Sequence, residues 1–374
     1  MKIAIDARFY RSSTGGIGRY TRALIRELMK IDKKNDYTIY ITSKDEKEYN
    51  LDAPNFSVKV VPISHYSVNE QIKFLQILNK EKFDLVHFTN FNHPIFYSGK
   101  FVVTIHDLTI MLFPTINQQK SILKKFAFNS VMQNAVLKSE KIIAISEATK
   151  ADVVKYLKGD SAKIKVIYEG IDNKYQIKNI DYKKNGIIKE KYQITDPYIL
   201  FVSQWRPHKG LPELIKAFEI LKEKYRLKHK LVLVGKPNLD FPEIIKRINS
   251  SKYINDIILP GFVADDDLPY IYHNADAFIF PSQYEGFGLP PLEAMAAGTV
   301  VVSSKTSCMP EILGDAAIYF NPRNPSDIAE KLADVLSNNK MQKDFIKKGL
   351  IHIKKYSWEN MARETLKLYE SICG

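Results

Sequence analysis

Cysteine is nearly missing from this chain: Cys308 and Cys373 are the only two among 374 residues. Neither stands at a paired spacing near histidine, which excludes a disulfide framework and a cysteine-based zinc site and fits a reducing compartment. Long apolar runs are also lacking. Nowhere do eighteen uninterrupted apolar residues occur, and the N-terminal stretch MKIAIDARFY reaches Asp6 and Arg8 before a signal-peptide core could form. A cytoplasmic protein is therefore expected, neither exported by such a leader nor membrane-spanning. Negative charge is in short supply, with 42 Asp and Glu against 55 Lys and Arg, a net charge of +13. The deficit is uneven. Residues 1–180 hold 28 basic and 18 acidic side chains, leaving 27 and 24 for the remainder, so the balances are +10 and +3. Such asymmetry suits nucleic acid, an anionic membrane or a phosphorylated substrate, and a lysine-rich composition alone also accounts for it. No zinc, helix-turn-helix or aromatic RNA-binding motif accompanies the charge, so nucleic acid is not an expected partner.

What is present is a regular alternation of short apolar runs with helical-period segments, the pattern of parallel sheets covered by helices. Strands are expected near 2–6, 37–42, 58–62, 85–88, 101–106, 141–146 and 163–168. A second series lies near 198–203, 230–235, 257–260, 277–281, 299–303 and 317–320. The pattern starts afresh near 195, and 374 residues suit two domains better than one core. The expected division is 1–180, 181–357, and a helix over 358–374 that packs back onto the first domain. The lysine-rich stretch 170–195, without clear periodicity, reads as the connection between domains.

In open α/β sheets, ligands bind outside the carboxyl ends of strands, which singles out the residues that follow strands directly. The most informative run is PSQYEGFGLPPLEAMAAG, from Pro281 to Gly298. It leaves a strand, passes a glycine turn, and enters a helix with Pro290 and Pro291 in the first turn, where a missing amide costs nothing. The turn Gly286, Phe287, Gly288, Leu289 and the helix start make a candidate diphosphate site. Glu285 and Glu293 bracket it, and their carboxylates suit sugar and ribose hydroxyls. In STGGIGRYTRAL, Gly15 and Gly16 leave the backbone open to a phosphate. In FVVTIHDL, His106 and Asp107 end an apolar strand, and Asp107 is expected to orient loop amides or His106. In FVSQWRPHKG, Arg206 and Lys209 follow a strand and can neutralise a leaving diphosphate. Gly261, Phe262 and Val263 end another strand. The run Asp265–Asp267 invites a metal-site reading, but these residues precede a helix, where acids cap amides and oppose the dipole. No metal and no cofactor are expected.

These motifs together resemble the retaining glycosyltransferases of family 4, which have the GT-B fold of two Rossmann-like domains facing across a cleft. The likeness extends over nearly the whole chain. It implies that Glu285 contacts the donor sugar, Glu293 the nucleotide ribose, His106 the transferred sugar, and Gly261–Val263 the base. The Gly15–Gly16 loop is implied to face the donor diphosphate and the acceptor. Many family members carry the arginine two positions before Arg206, where this chain has Gln204, so Arg206 rests on its likeness to an RPHK subgroup. The segment SCMPEILGDA, with Glu311 and Asp315, resembles a further part of the family pattern, expected to order the cleft wall. The resemblance also implies same-face substitution, in which the departing phosphate takes the acceptor's proton.

The combination of GGIGRYT, HDL, RPHK and YEGFGLPPLEAMA is most similar to bacterial mannosyltransferases of surface-polysaccharide assembly. A nucleotide-sugar donor, GDP-mannose first, and a glycan or lipid-linked oligosaccharide acceptor are then the expected partners. Rhamnosyl, glucosyl and galactosyl donors, and a nucleotide-sugar epimerase of related fold, are the alternatives. An anionic membrane surface is a further candidate partner, placing the protein on the inner face of the membrane. The segment 118–141 mixes Lys120, Lys124, Lys125 and Lys138 with Ile122, Leu123, Phe126 and Phe128, as an interfacial helix does. Packing of its apolar side chains on the first sheet explains it equally well.

Overall fold

A computed structural model describes residues 1–10, 15–42, 53–114, 122–177, 181–194 and 197–374, with the side chains of 122–125 excepted. The chain forms two compact units, Met1–Gly170 with Tyr356–Gly374, and Ile171–Lys355. Residues 171–177 therefore belong to the second unit, although the sequence suggested a boundary at 180.

The first unit is built on seven strands: β1 Lys2–Asp6, β2 Asp36–Ile41, β3 Phe56–Val60, β4 Leu85–Phe88, β5 Phe101–Ile105, β6 Lys141–Ala144 and β7 Ile164–Val166. They lie in the order β3-β2-β1-β4-β5-β6-β7, every neighbouring pair parallel. Central strands such as β4 and β5 are buried at every residue, as sheets covered on both faces require, which is why they read as mostly apolar runs without alternation, His87 and Thr104 excepted. The order reverses between β1 and β4, where α/β sheets hold ligands.

The C-terminal helix Trp358–Cys373 is part of this unit and packs along the helix Gly16–Ile31. Its Tyr369 hydroxyl lies 2.5 Å from His87 Nδ1, His87 Nε2 lies 2.8 Å from Thr104 Oγ1, and Thr104 Oγ1 in turn lies 3.0 Å from Tyr20 Oη. The buried polar chain thus runs from Tyr369 through His87 and Thr104 to Tyr20, and ties residue 369 to the middle of the sheet. Gly170 lets the start of this helix pass close by: a Cβ there would sit 2.1 Å from the Trp358 nitrogen.

A charged cluster fills the carboxyl end of β1. Arg8 is fully buried, with Nε donating to Asp6 Oδ1 at 2.8 Å, Nη2 donating to Asp6 Oδ2 at 2.7 Å, and Nη2 also donating to Glu70 Oε1 at 2.5 Å. Asn92 Nδ2 donates to the same Glu70 oxygen and the Tyr66 amide to the other, and the guanidinium lies over the Phe74 ring. Burial lifts the Glu70 carboxyl above its ordinary range against the pull of Arg8.

The helix Ile122–Lys138 covers part of the candidate membrane segment. Met132, Ala135 and Val136 are buried in the first core and Phe128 packs on Tyr66 and Phe91, whereas Phe126 is 71% exposed. Lys120 and the side chains of Ile122, Leu123, Lys124 and Lys125 lie outside the described residues. Among the described residues, no helix is long and apolar enough to cross a membrane.

The second unit carries six strands: β8 Tyr198–Val202, β9 Lys230–Val234, β10 Ile257–Gly261, β11 Ala277–Phe280, β12 Val301–Ser304 and β13 Ile318–Phe320. Their order, β10-β9-β8-β11-β12-β13, is again parallel throughout and reverses between β8 and β11. The stretch read as a connection instead contains a helix, Tyr182–Lys191, in which only Ile188 is buried. With one apolar anchor it leaves no periodic trace in the sequence. Polar contacts hold it: Asn185 bonds Asn274, and Lys191 with neighbouring Tyr192 reaches Asp267.

Candidate active site

The loops that follow β8 and β11 meet at the reversal point of the second sheet. After β8 the chain makes a short turn, Pro207–Lys209, and then Gly210 at φ +71° begins the helix Leu211–Lys224. A Cβ on Gly210 would lie 2.3 Å from the Pro281 carbonyl oxygen, so glycine permits the two loops to touch. The Gln283 amide donates to the His208 carbonyl at 2.7 Å and joins them further. Across this junction Lys209 Nζ donates to Glu285 Oε1 at 2.5 Å, while Ser282 Oγ donates to the same oxygen at 2.6 Å. The Lys209 and Glu285 side chains are 14% and 13% exposed, so the pair is sheltered but reachable. Ser307 fixes the Glu285 backbone, donating from Oγ to its carbonyl at 2.7 Å and accepting from its amide at 3.3 Å.

Arg206 shares this turn, its carbonyl accepting from the Lys209 amide at 3.0 Å. Its Nε is buried and has no hydrogen-bond partner among the described residues, a charged donor with capacity to bind an anion. Gln204, two residues earlier, is exposed. The local potential is positive: burial, then the charges of Lys209 and Arg206, push His208 down to about 3, so it stays neutral at physiological pH.

Gly288, at φ +88°, starts the helix Leu289–Ala296, with Pro290 and Pro291 in its first turn. The φ of Gly288 favours glycine, and the Met309 methyl packed beneath it, 2.4 Å from where a Cβ would stand, would have to move for any other residue. Gly286, Phe287 and Leu289 are buried, which limits Phe287 and Leu289 to backbone contacts with any ligand. Glu293 is also buried, and Tyr272 Oη donates to its Oε2 at 2.8 Å. Gly261, Phe262 and Val263 lie farther along the sheet at the end of β10, two strands from β8. Phe262 is 64% exposed, and a Cβ on Gly261 would meet nothing within 4 Å.

The acidic run behaves differently from the helix cap inferred for it. Asp267 precedes the helix Leu268–His273 but makes no side-chain capping bond; its Oδ2 accepts from Lys191 Nζ at 2.7 Å and Tyr192 Oη at 2.9 Å. Asp265 lies 3.9 Å from Lys174. Cations from the preceding segment outcompete the local amides because a charged donor makes the stronger bond.

In the first unit, Gly15 at φ +65° precedes the helix Gly16–Ile31, and a Cβ on Gly16 would meet nothing within 4 Å. Residues 11–14 of that loop lie outside the described residues. His106 follows β5 and is buried, with Nε2 3.0 Å from the Thr89 carbonyl oxygen and Nδ1 3.3 Å from Glu169 Oε1. Asp107 Oδ1 accepts from the Thr109 amide at 2.7 Å, the loop-ordering option of the two inferred for it. Sequence reasoning passed over Glu169, Ser282, Ser307 and Tyr272. Ser282 could have been found beside β11, whereas the others are placed by folding alone.

Two family models match the chain, Glycosyltransferase Family 4 over residues 14–175 and Glycosyl transferases group 1 over residues 184–352. The serotype-specific mannosyltransferase WbdA of Escherichia coli is 27% identical over 403 residues, covering 97% of this chain and 47% of that protein. The chain thus spans about half the length of that relative. An uncharacterized glycosyltransferase of Methanocaldococcus jannaschii is 28% identical over 393 residues, covering 99% and 98% of the two chains. Among solved structures, Anabaena HepE in complex with UDP-glucose superposes with a TM-score of 0.75 at 16% identity, covering 99% and 100% of the two chains. The matches offer no support for the epimerase alternative. With its two parallel sheets, each matched by one of the two models, the chain has the GT-B fold and belongs to the family 4 glycosyltransferases.

Proposed function

We propose that this protein transfers a mannosyl group from GDP-mannose to a glycan or lipid-linked oligosaccharide acceptor in polysaccharide synthesis, with retention of configuration and without a metal ion. The observation that carries the reading is the meeting of Lys209 and Glu285 beside the unpartnered Arg206 Nε, at the reversal point of the second sheet. Arg206 and Lys209 neutralise the diphosphate, and the N-terminus of the helix Leu289–Ala296 adds its dipole. Glu285 accepts hydrogen bonds from sugar hydroxyls, and Glu293 binds the ribose. As the glycosidic bond breaks, developing negative charge falls on oxygens already surrounded by fixed positive charge, the largest source of rate available to such a site. The leaving phosphate then takes the acceptor's proton. Mannose is the first choice because WbdA is a mannosyltransferase, whereas HepE holds UDP-glucose on the same fold.

A screen of nucleotide-sugar donors by nucleotide diphosphate release, with and without a lipid extract, tests the reaction. GDP release from GDP-mannose that depends on the extract and persists in EDTA is the expected result. Preference for another donor overturns the mannosyl assignment, and loss in EDTA restored by manganese or magnesium overturns the metal-free mechanism.

The clamp has its own test. Arg206→Ala is expected to weaken nucleotide diphosphate binding by about 1.5–3 kcal/mol. Lys209→Ala should cost less, because its charge already faces Glu285. A nucleoside without phosphates should bind both variants equally well. Normal diphosphate binding by Arg206→Ala, with loss in Gln204→Ala, would assign the clamp to the wrong residue.

A further inference from the structure

His106 is held at both ring nitrogens by its own protein. The Thr89 carbonyl oxygen, 3.0 Å from Nε2, can only accept, so Nε2 carries a hydrogen. At the other nitrogen stands Glu169 Oε1, 3.3 Å away and 2% exposed as a residue. That oxygen makes no hydrogen bond of ordinary geometry among the described residues, and Nδ1 is the nitrogen that faces it. A bare imidazole nitrogen facing a bare carboxylate in a buried site sets lone pair against lone pair, and a single proton between them turns the contact into an ion pair. Other neighbours of the ring, among the described residues, are Tyr20, Thr149, Asp107 and His87. Tyr20 presents its ring edge-on at 4.9 Å, and Thr149 Oγ1 donates to the His106 carbonyl. Asp107 is engaged with the Thr109 amide. His87 on β4 is kept neutral, pushed down to about 3 by burial and then by the neighbouring His106.

The geometry points to a positioning role for Glu169: it holds His106 with protons on both ring nitrogens, so that His106 brings a fixed positive charge and an ordered loop, and no free nitrogen, to the reaction. This departs from an imidazole nitrogen serving as a base toward the acceptor. The part of the inference that concerns turnover rests on the sugar-transfer reading; the protonation state does not.

The experiment is ¹⁵N NMR of the histidine rings in the full chain at neutral pH, with the His106 signals assigned by their loss in His106→Asn. The wild-type protein should show both His106 nitrogens protonated. In Glu169→Gln, whose amide can donate to Nδ1, the ring should become the neutral Nε2–H tautomer, and turnover should fall by about ten- to a hundredfold with little change in donor KM. Glu169→Asp should recover part of both signals. A wild-type ring that is already the neutral Nε2–H tautomer overturns the inference, as does a doubly protonated ring that persists in Glu169→Gln. Because the spectra are read without donor, failure here is distinct from failure of the transfer reading.

Discussion

Glu285→Gln lowers turnover at least ~100-fold, equivalent to about 3 kcal/mol of lost transition-state stabilisation, and leaves the thermal midpoint close to that of the wild type. The expectation of intact stability follows from its setting. Glu285 lies in a loop, retains Ser282 and Ser307 as partners, and fills no core position. The substitution has a second, opposite effect. Lys209 loses the carboxylate that faces it at 2.5 Å, so its charge becomes fully available to a diphosphate, and nucleotide diphosphate affinity should hold or rise while turnover collapses. Calorimetric titration beside a turnover assay separates the two. Near-wild-type turnover would remove Glu285 from the reaction, and weakened diphosphate binding would mean that Lys209 is not part of the clamp.

Arg8→Met is the most destabilising single change expected in the first unit, at about 3–5 kcal/mol near neutral pH. Methionine fills comparable space but leaves Asp6 and Glu70 as buried carboxylates with no cation between them. The pH dependence has a definite sign. Burial already lifts Glu70 above its ordinary range with Arg8 present, and removing Arg8 lifts it further. The variant's deficit therefore narrows as pH falls and the Glu70 carboxyl takes up its proton. Urea unfolding at neutral and mildly acidic pH measures both quantities. A cost below about 1 kcal/mol would mean that water reaches the cluster and screens it.

The same cluster marks a limit of sequence reading. Asp6 and Arg8 could be seen only as charges interrupting an apolar start, because Glu70, their third member, is brought in by a separate segment. Strand positions were legible for the opposite reason: strands buried on both faces are mostly apolar, so β11 stands out as an unbroken run and β4 and β5 as runs interrupted only by His87 and Thr104. Lys209 and Glu285 were each legible as residues following strands, while their contact was not, since it depends on β8 and β11 being neighbours. Glu169 shows the limit most plainly. It follows β7, and nothing in its local sequence indicates that the side chain turns toward a histidine 63 positions earlier. Asp267 was assigned to the wrong partner because helix caps are written locally and a cation arriving from Lys191 is not.

The return of Trp358–Cys373 to the first unit also orders events on the ribosome. The second unit is one unbroken segment, Ile171–Lys355, and all of its strands have been synthesised before the last helix begins. The first unit, although begun earlier, is still without Trp358, Met361, Thr365 and Tyr369, four buried residues of its final helix. Domains generally fold as units during synthesis. Here the half begun first is completed only after the other has been made, and until Tyr369 reaches His87 the side of the helix Gly16–Ile31 that the returning helix covers stays open.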